Sequence, residues 1–595
     1  MGLMQKAVET YDYHEGLVGV PVAGHPTLVP ISHIVQNAQI EITIDKDGNF
    51  AAAETVIQGK IPGKDDSKTI IPATEKSANR TAAPAAHPLS DQLTYVLPKG
   101  KNYELYVQEL TKWADSEFSH PKVQAILQYV RKGTMQEDLV RSGVITCSHG
   151  MSDKKYEKAM VRWRVNGCED SRPCWEDPEL FRAFIQYNQS LQKEMSRDLC
   201  MISGEEEPVT ETHPKGILSS SYGAKLISAN DSSGFTYRGR YTEARQAATV
   251  GYLTSQKAHN ALRWVIASQG VLIGGRAFVC WNPKGKRIPS MGLLSYGWGE
   301  NQKAETPSDY RDQLRHAMSG WRQELPDHED VVIASFDAAT TGRLSVTYYN
   351  ELWASDFLDR LKHWQETCCW ENHQFGYQSP SIYQIVKCAY GVERNGRLEV
   401  DDRLMREQAQ RLLHCVVDRE RMQMDLVHAL RNNASSPLRY ESRSRREILF
   451  VACAVSYAYR TDVKKEEWSM ALEKGKADRS YQFGRLLAAM EQVERQTYDV
   501  VEKREPNAIR MQSVFCERPL ATARILNERI EPYMERLTPG SRAFYRGVIG
   551  EIMEQLSRFD DVKLNRPLED SYLMGYYLQR NAFYAKKDKT EEGEQ

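Results

Sequence analysis

Two stretches of the chain alternate apolar and polar residues around turn-forming sequences. Residues 40–57 alternate on both sides of Asp47 and Gly48, a dipeptide that favours a tight hairpin turn. Residues 331–348 carry a short apolar run and then an alternating segment, with Thr341 and Gly342 between them. Successive side chains of a strand point to opposite faces, so each stretch predicts two strands with one buried face. We therefore expect two antiparallel β-hairpins.

Helical spacing dominates the C-terminal part of the chain. Apolar residues recur there at every third or fourth position, as in amphipathic helices packed on a core. Helices are predicted over residues 404–430, 448–459, 478–503, 521–537, 541–556 and 569–584. The predicted fold class is α+β. Residues 1–400 form a mixed region with antiparallel hairpins and helices, residues 401–469 form a helical connection, and residues 470–595 form an all-α bundle.

Between residues 59 and 88 the periodicity disappears. Lys, Ser, Thr, Ala and Pro dominate this segment, which predicts a long, exposed, basic loop. Lys76 and Arg80 are among its cations, and Asn79 and Thr81 lie beside Arg80. Two interpretations are open, a disordered excursion on the surface or a loop that enters a DNA groove.

Two further segments combine cations with groups that suit nucleic acid. Residues 219–241 mix hydroxyls, glycines, aromatic rings and basic side chains, which suits phosphate and base contacts. The candidate contacts there are Ser220, Ser221, Lys225, Tyr237, Arg238 and Arg240. A Gly- and Ser-rich loop packed by a few aromatic rings explains the same residues equally well. Lys284, Lys286 and Arg287 form a shorter cluster, either a solvated hairpin tip or a backbone-contact patch.

The composition limits what these segments can do. The formal net charge of −2 gives no global attraction to nucleic acid, so any contact with DNA or RNA must come from local basic patches. A hydrophobic content of 41% is enough for ordinary globular cores. The sequence has no apolar run long enough to span a membrane, and its cysteines lack paired metal-type spacing. A cytoplasmic protein with reduced thiols and no membrane contact is expected.

The sequence offers no convincing catalytic or metal-binding motif. A Walker loop, a GxSxG elbow and an HExxH helix are absent. Cys168, Cys174, Cys200 and His213 are metal-ligating residue types, but they lack the tight paired spacing of structural zinc sites. We therefore predict no catalytic residue, no metal and no cofactor, and a binding protein rather than an enzyme. The alternative from another class is a metal-dependent nuclease subunit whose acidic residues are dispersed along the sequence.

Five sequence blocks carry a resemblance to a known family. They are HPKGI at residues 213–217, FVCW at 278–281, DAATTGRLSVTYY at 337–349, SDFLDRLKHWQETCCW at 355–370 and YQFGRLLAAMEQVE at 481–494. In order and spacing these blocks resemble the large subunit of the type I-C CRISPR Cascade effector complex. The N-terminal third of the chain matches this family only loosely.

The resemblance implies a non-catalytic role in an RNA-guided complex. The guide RNA of such a complex supplies sequence specificity by pairing, while protein reads a short duplex motif beside the target. The large subunit carries an Arg-Thr or Arg-Ser loop, which would correspond here to Arg80 and Thr81, with Lys76 and Asn79 alongside. The implied partners are the guide crRNA, target double-stranded DNA with its displaced strand, the backbone, handle-binding and small subunits, and a recruited helicase-nuclease.

The C-terminal bundle is also predicted to be made separately as a small subunit beginning at Met470. Residues 483–493 carry an apolar stripe, so the fragment can bury a core of its own. Residues 464–467, Lys-Lys-Glu-Glu, can be encoded by purine-only codons that act as a ribosome-binding site, although a charged helix face explains them equally well. The resemblance adds that type I-C systems obtain their small subunit from inside the large-subunit gene.

Overall fold

A computed structural model gives the fold of the chain. It describes residues 2–22, 24–56, 67–80, 83–98, 100–148, 151–152, 156–228, 238–292, 303–499 and 504–591. The chain divides into two compact units: unit 1 comprises Met1–Lys286 and Val331–Glu351, and unit 2 comprises Arg287–Asp330 and Leu352–Gln595. These units do not coincide with the predicted segments 1–400, 401–469 and 470–595. Helices and strands are mixed as predicted, so the fold class is α+β.

Unit 1 contains most of the strands. They are β1 (His33–Asn37), β2 (Ile40–Asp45), β3 (Phe50–Thr55), β4 (Lys68–Pro72), β5 (Cys147–Ser148), β6 (Met151–Ser152), β7 (Val161–Asn166), β8 (Arg197–Leu199), β9 (Glu206–Pro208), β10 (Val271–Ile273), β11 (Arg276–Trp281), β12 (Asp330–Thr340) and β13 (Arg343–Trp353). One sheet has the order β3-β2-β7 and another the order β10-β11-β12-β13, while β1 pairs with β4. Both predicted hairpins are confirmed, as β2–β3 and β12–β13.

The helices of unit 1 pack on these sheets to form two cores. They are α1 (Leu3–Tyr13), α2 (Glu75–Ala78), α3 (Leu93–Val96), α4 (Tyr103–Ala114), α5 (Pro121–Lys132), α6 (Met135–Arg141), α7 (Pro178–Leu191), α8 (Ala244–Ala247) and α9 (Tyr252–Gln269). One core joins the β3-β2-β7 sheet to α4, α5 and α7 through buried residues such as Ile42, Trp113 and Phe184. The other joins α1 and α9 to the four-stranded sheet, with Trp281 and Phe336 fully buried.

Unit 2 is mainly helical. Its elements are α10 (Pro307–Glu324), α11 (Ala354–Thr367), β14 (Trp370–Asn372), β15 (Gly376–Gln378), α12 (Ile382–Tyr390), β16 (Val392–Arg394), β17 (Arg397–Glu399), α13 (Asp402–Val417), α14 (Met424–Ala434), α15 (Ser442–Ala458), α16 (Arg479–Arg495), α17 (Asn507–Arg510), α18 (Gln512–Glu517), α19 (Pro519–Arg536), α20 (Pro539–Leu556), α21 (Asp561–Leu564) and α22 (Ser571–Glu591). Helix α16 is buried on nearly every side and packs against α19, α20 and α22. The helical character predicted for this part of the chain is confirmed.

The prediction of one continuous loop over residues 59–88 is wrong for the part that the structure describes. Residues 68–72 form β4, whose Ile71 lies opposite Ile34 of β1 and is fully buried. The short helix α2 follows, with the Thr74 side chain accepting a hydrogen bond from the Ser77 amide. The apolar pair Ile70 and Ile71 was too short a periodic signal to stand out among the surrounding polar residues. Residues 59–66 lie outside the described residues.

Candidate nucleic-acid interface

Three separate sequence blocks meet in a short β-ladder in unit 1. Lys215 pairs with Lys225 in an antiparallel bridge, and Lys225 pairs with Arg343 in a parallel bridge. The Lys225 amide donates to the Gly342 carbonyl at 3.1 Å, and the Leu344 amide donates to the Lys225 carbonyl at 2.9 Å. Residues paired across a ladder lie beside one another. The fold therefore aligns Lys215, Lys225 and Arg343, which together form the cation row.

The first position of the cation row is fixed by its local backbone. Arg263 of α9 donates from Nε to the Gly216 carbonyl at 3.0 Å and from its guanidinium to the Lys215 carbonyl at 2.6 Å. Gly216 has a φ of +85°, and a Cβ at this position would lie 2.6 Å from the Tyr222 ring. Only glycine fits such a conformation and so close a ring. The HPKGI block thus holds Lys215 in a defined place.

The charges of the cation row are only partly offset, by the nearby Glu75. Within the described residues, no side chain forms a salt bridge with any of the three cations. Burial and the nearby charge of Arg80 lower the pKa of Lys215. Burial and Lys215 lower the pKa of Lys225, against the opposing effect of Glu75. Because like charges side by side disfavour the charged state, a bound anion would relieve this repulsion.

Lys215 also lines a small polar cleft of about 140 Å³ beside α2. Its other polar walls come from Gln36 of β1, Ser77 of α2, Arg80, His87 and Gln92. Two of these lining side chains are cations, and the lining includes no carboxylate. The cleft suits an anionic or hydrogen-bonding ligand rather than an apolar one.

Arg80, the predicted base reader, is held inside the protein. Its guanidinium forms a two-pronged ion pair with Asp91, with both N–O distances at 2.7 Å, and donates to the Ala85 carbonyl at 2.8 Å. It also lies over the Tyr95 ring, 4.5 Å from the centroid. The Arg80 side chain is 17% exposed and Asp91 is fully buried. Arg80 therefore lines the cleft, while its guanidinium is already hydrogen-bonded to Asp91 and the Ala85 carbonyl.

His87 closes the buried side of the cleft as a neutral ring. Its Nδ1 lies 2.9 Å from Ser77 Oγ, and its amide donates to Asp91 at 2.7 Å. Burial lowers the pKa of His87 to about 4; the charge of Asp91 opposes this, and Arg80 and Lys215 add to it. His87 is therefore uncharged at neutral pH, and because Arg80 is paired with Asp91, the unpaired positive charge in the cleft comes from Lys215.

The remaining predicted contacts near α2 are distributed around the cleft. Lys76 is exposed on α2, and Asn79 Nδ2 donates to the Glu75 carbonyl at 3.1 Å. Ser220 and Ser221 lie in the 3-10 turn Ser219–Ser221, in the segment that connects the first two positions of the cation row. Thr81 and Tyr237 lie outside the described residues.

The other predicted cations make local contacts. Arg238 donates to the Thr242 carbonyl at 3.1 Å, and the Arg240 guanidinium lies 5.3 Å from the centre of the Tyr241 ring. Lys284 and Lys286 are exposed, in a turn whose amides bond to Asn282. Arg287 belongs to unit 2, where it approaches Glu324 at 3.9 Å. The predicted cluster of Lys284, Lys286 and Arg287 is therefore divided between the two units.

Sequence reasoning missed two members of the cation row, Lys215 and Arg343. Each lies in one of the blocks that carried the family resemblance, and each has a glycine next to it. The family blocks and their glycines were visible in the sequence. The proximity of Lys215 and Arg343 to Lys225 was not, because it depends on a ladder between segments far apart in the chain.

The described residues contain no group of three or more His, Cys, Asp or Glu side chains that could hold a metal ion. Cys174 is buried, and burial raises the pKa of its thiol to about 12. In the same described ranges, no helix is long and apolar enough to cross a membrane.

Comparison with known families identifies the chain as CRISPR-associated. The model of the CRISPR-associated protein (Cas_Csd1) family matches residues 11–584. Because this match spans nearly the whole sequence, the chain belongs to the Cas_Csd1 family, and the large-subunit resemblance seen in the sequence is confirmed. No curated protein matches the chain.

Proposed function

We propose that this protein is the non-catalytic large subunit of a type I-C Cascade, and that its cation row binds backbone phosphates of the duplex beside the target. The observation that supports duplex binding is the alignment of Lys215, Lys225 and Arg343, none of which forms a salt bridge within the described residues. Phosphates spaced along a nucleic-acid backbone match such a row of cations. The guide RNA would supply sequence specificity by pairing.

In this proposal the cleft at Arg80 contributes to recognition of the adjacent motif. Lys215 joins the cleft to the cation row, so a duplex bound by the row would place a groove near Arg80. The partners would be the guide crRNA, the displaced strand, the backbone, handle-binding and small subunits, and a helicase-nuclease that the bound complex recruits. Binding would support unwinding and R-loop formation in the cytoplasm.

The salt dependence of duplex binding tests this proposal. A triple variant, Lys215→Gln with Lys225→Gln and Arg343→Gln, should bind duplex DNA more weakly at low salt. The slope of log affinity against log salt should fall by about 0.9 for each phosphate that the variant no longer binds. The matched control removes three exposed cations of the same unit, Lys112, Arg141 and Arg182, each of which already has a carboxylate partner.

Two results would contradict the proposal. If the control variant loses as much affinity for duplex DNA as the triple variant, the cation row acts only as general surface charge. If the salt slope of the triple variant is unchanged, the cation row does not contact the duplex. Cleavage of target DNA by the purified complex with Mg²⁺ or Mn²⁺, without the helicase-nuclease, would favour the nuclease alternative.

A further inference from the structure

A turn in unit 2 presents two exposed rings on a fixed backbone. His373, Gln374 and Phe375 connect β14 to β15, and Phe375 is 57% exposed. The Gln374 amide donates to Asn372 Oδ1 at 3.0 Å, and the Phe375 amide donates to the Asn372 carbonyl at 3.1 Å. A large apolar ring held in solvent by a rigid turn is available to a ligand at little cost in ordering.

The His373 ring of this turn continues an aromatic stack that begins in the core. The buried Trp370 meets Tyr577 of α22 edge to face at 6.0 Å, and Tyr577 stacks on His373 with centroids 5.1 Å apart and planes 20° apart. The Tyr577 hydroxyl donates to the Glu371 carbonyl at 2.6 Å. Trp370 and the Glu371 carbonyl hold Tyr577 in place. The His373 ring stacked on Tyr577 is therefore preorganised at the exposed end of the stack.

Cations surround the turn on several elements. A parallel bridge pairs Ala304 with Gly376, and Lys303 Cγ lies 2.9 Å from where a Cβ of Gly376 would be. Burial and the charges of Arg580, Arg446 and Lys303 all lower the pKa of His373, so the three cations lie near its ring. Lys303 and Arg446 are exposed.

Lys303 and Arg446 supply the free charge of this cluster, whereas Arg580 is half-buried and lies near Glu491. In the part of the chain that the structure describes, no carboxylate forms a salt bridge with Lys303, Arg446 or Arg580. Glu371 is the acid next to the turn, and its carboxylate accepts a hydrogen bond from Asn581 at 2.5 Å. Burial raises the pKa of Glu371, against the effects of Asn581 and Lys303. The surface thus combines exposed aromatic rings with free positive charge.

We propose that this turn binds single-stranded nucleic acid by stacking bases on Phe375 and His373 and placing phosphates against Lys303 and Arg446. Unpaired bases expose the faces that such rings stack on, whereas the bases of a duplex do not. The site lies in the other compact unit from the cation row and recognises a different form of nucleic acid. It does not rest on duplex binding at the cation row.

Fluorescence anisotropy of the purified full-length chain with short labelled oligo(dT) tests the proposal. Phe375→Ala should weaken binding by about tenfold, the effect of removing one base–aromatic stack, and Phe375→Trp should restore it. Lys303→Gln with Arg446→Gln should reduce the salt slope by about 0.7 for each phosphate released. Phe375 and the two cations are exposed, so the thermal unfolding midpoint should stay unchanged.

Matched controls separate this site from general surface effects. Leu438→Ala removes another apolar side chain, 55% exposed, and Lys465→Gln removes another cation, 75% exposed; both should leave binding intact. Equal affinity of Phe375→Ala and Leu438→Ala, or no binding of oligo(dT) by the parent chain, would overturn the proposal. The proposal would also be overturned if oligo(dT) binding were weakened only in a Lys215→Gln, Lys225→Gln variant. Binding of oligo(U) with the same Phe375 dependence supports the site and shows that it accepts RNA as well as DNA.

Discussion

Gly484 of α16 and Gly575 of α22 allow these two helices to cross in close contact. A Cβ at Gly484 would lie 1.9 Å from the Tyr572 carbonyl oxygen, and a Cβ at Gly575 would lie 2.1 Å from the Tyr481 carbonyl oxygen. Each glycine therefore faces the backbone of the opposite helix. Neither backbone can yield as a flexible side chain would, so the two positions set the distance between the helices.

Alanine at either glycine should destabilise unit 2 despite its better helix propensity. The added methyl group overpacks the crossing, which costs about 1–3 kcal/mol or more, whereas propensity returns at most about 1 kcal/mol. Urea unfolding followed by circular dichroism measures the difference. Gly547→Ala in α20 is the control, because nothing lies within 4 Å of its Cβ position, and it should be neutral or stabilising. Equal behaviour of all three variants would contradict this account.

Arg80→Ala is expected to reduce stability as well as any DNA recognition. The change leaves the fully buried Asp91 without its ion-pair partner, and breaking a buried pair costs about 3–5 kcal/mol. Adding Asp91→Asn should recover part of this stability, since the amide carries no charge. Unfolding of the single and double variants checks the coupling. If Arg80→Ala unfolds like the parent, the ion pair contributes nothing to stability, and weaker DNA binding can be assigned to recognition alone.

Local signals predicted the elements of this fold well. Asp47 and Gly48 mark the turn of the β2–β3 hairpin, and Gly48 has the positive φ of 67° that such a turn requires. The apolar stripe of residues 483–493 predicted α16. These features depend on neighbouring residues, so sequence alone carries them.

Long-range pairings could not be predicted in the same way. The basic composition around Arg80 indicated an exposed loop, because nothing local shows that Asp91 and Tyr95 enclose its guanidinium. Similarly, Lys215 and Arg343 become neighbours of Lys225 only through a ladder between distant segments. A charged residue is exposed by default, and only its folded partners can reverse that expectation.

Unit 1 should lose stability as the pH falls from about 6.5 towards 4. Burial lowers the pKa of His33, His87 and His259 to about 4, so these rings stay neutral in the folded state. In the unfolded chain the same rings bind protons below about pH 6.5. The unfolded state then holds more protons, and each histidine lowers stability by about 1.4 kcal/mol per pH unit within this window.

Chemical unfolding at pH 7.5 and at pH 5.5 measures this dependence. His259→Gln should flatten the slope of stability against pH, because it removes a group that titrates only on unfolding. His25→Gln is the control, since His25 is exposed and its removal should leave the slope unchanged. A slope that is equal in the parent and in His259→Gln would exclude His259 as a source of acid sensitivity.

A small subunit beginning at Met470 would lack an ion-pair partner that the full chain provides. Arg460 is 2% exposed and binds Asp570 through two hydrogen bonds, at 2.8 and 2.9 Å, and Glu569 at 2.8 Å. A fragment of residues 470–595 retains both acids without Arg460. We expect this fragment to be less stable than a fragment of residues 442–595. Asp570→Asn should reduce the difference in unfolding free energy between the two fragments, because it removes the uncompensated buried charge.

Recoding Met470 in the gene tests whether this fragment is made separately. Met470 is 7% exposed, so Met470→Leu, written with a codon that does not start translation, conserves volume and should leave the full-length chain folded. Complexes purified from cells that express the recoded gene should lose the short species in mass spectra, and a plasmid supplying residues 470–595 should restore it. Recoding Met490, which is 2% exposed and lies inside α16, is the control, because initiation there would remove half of the buried helix. Persistence of the short species after the Met470 change, or its absence from the parent complex, would show that the bundle is made only as part of the large subunit.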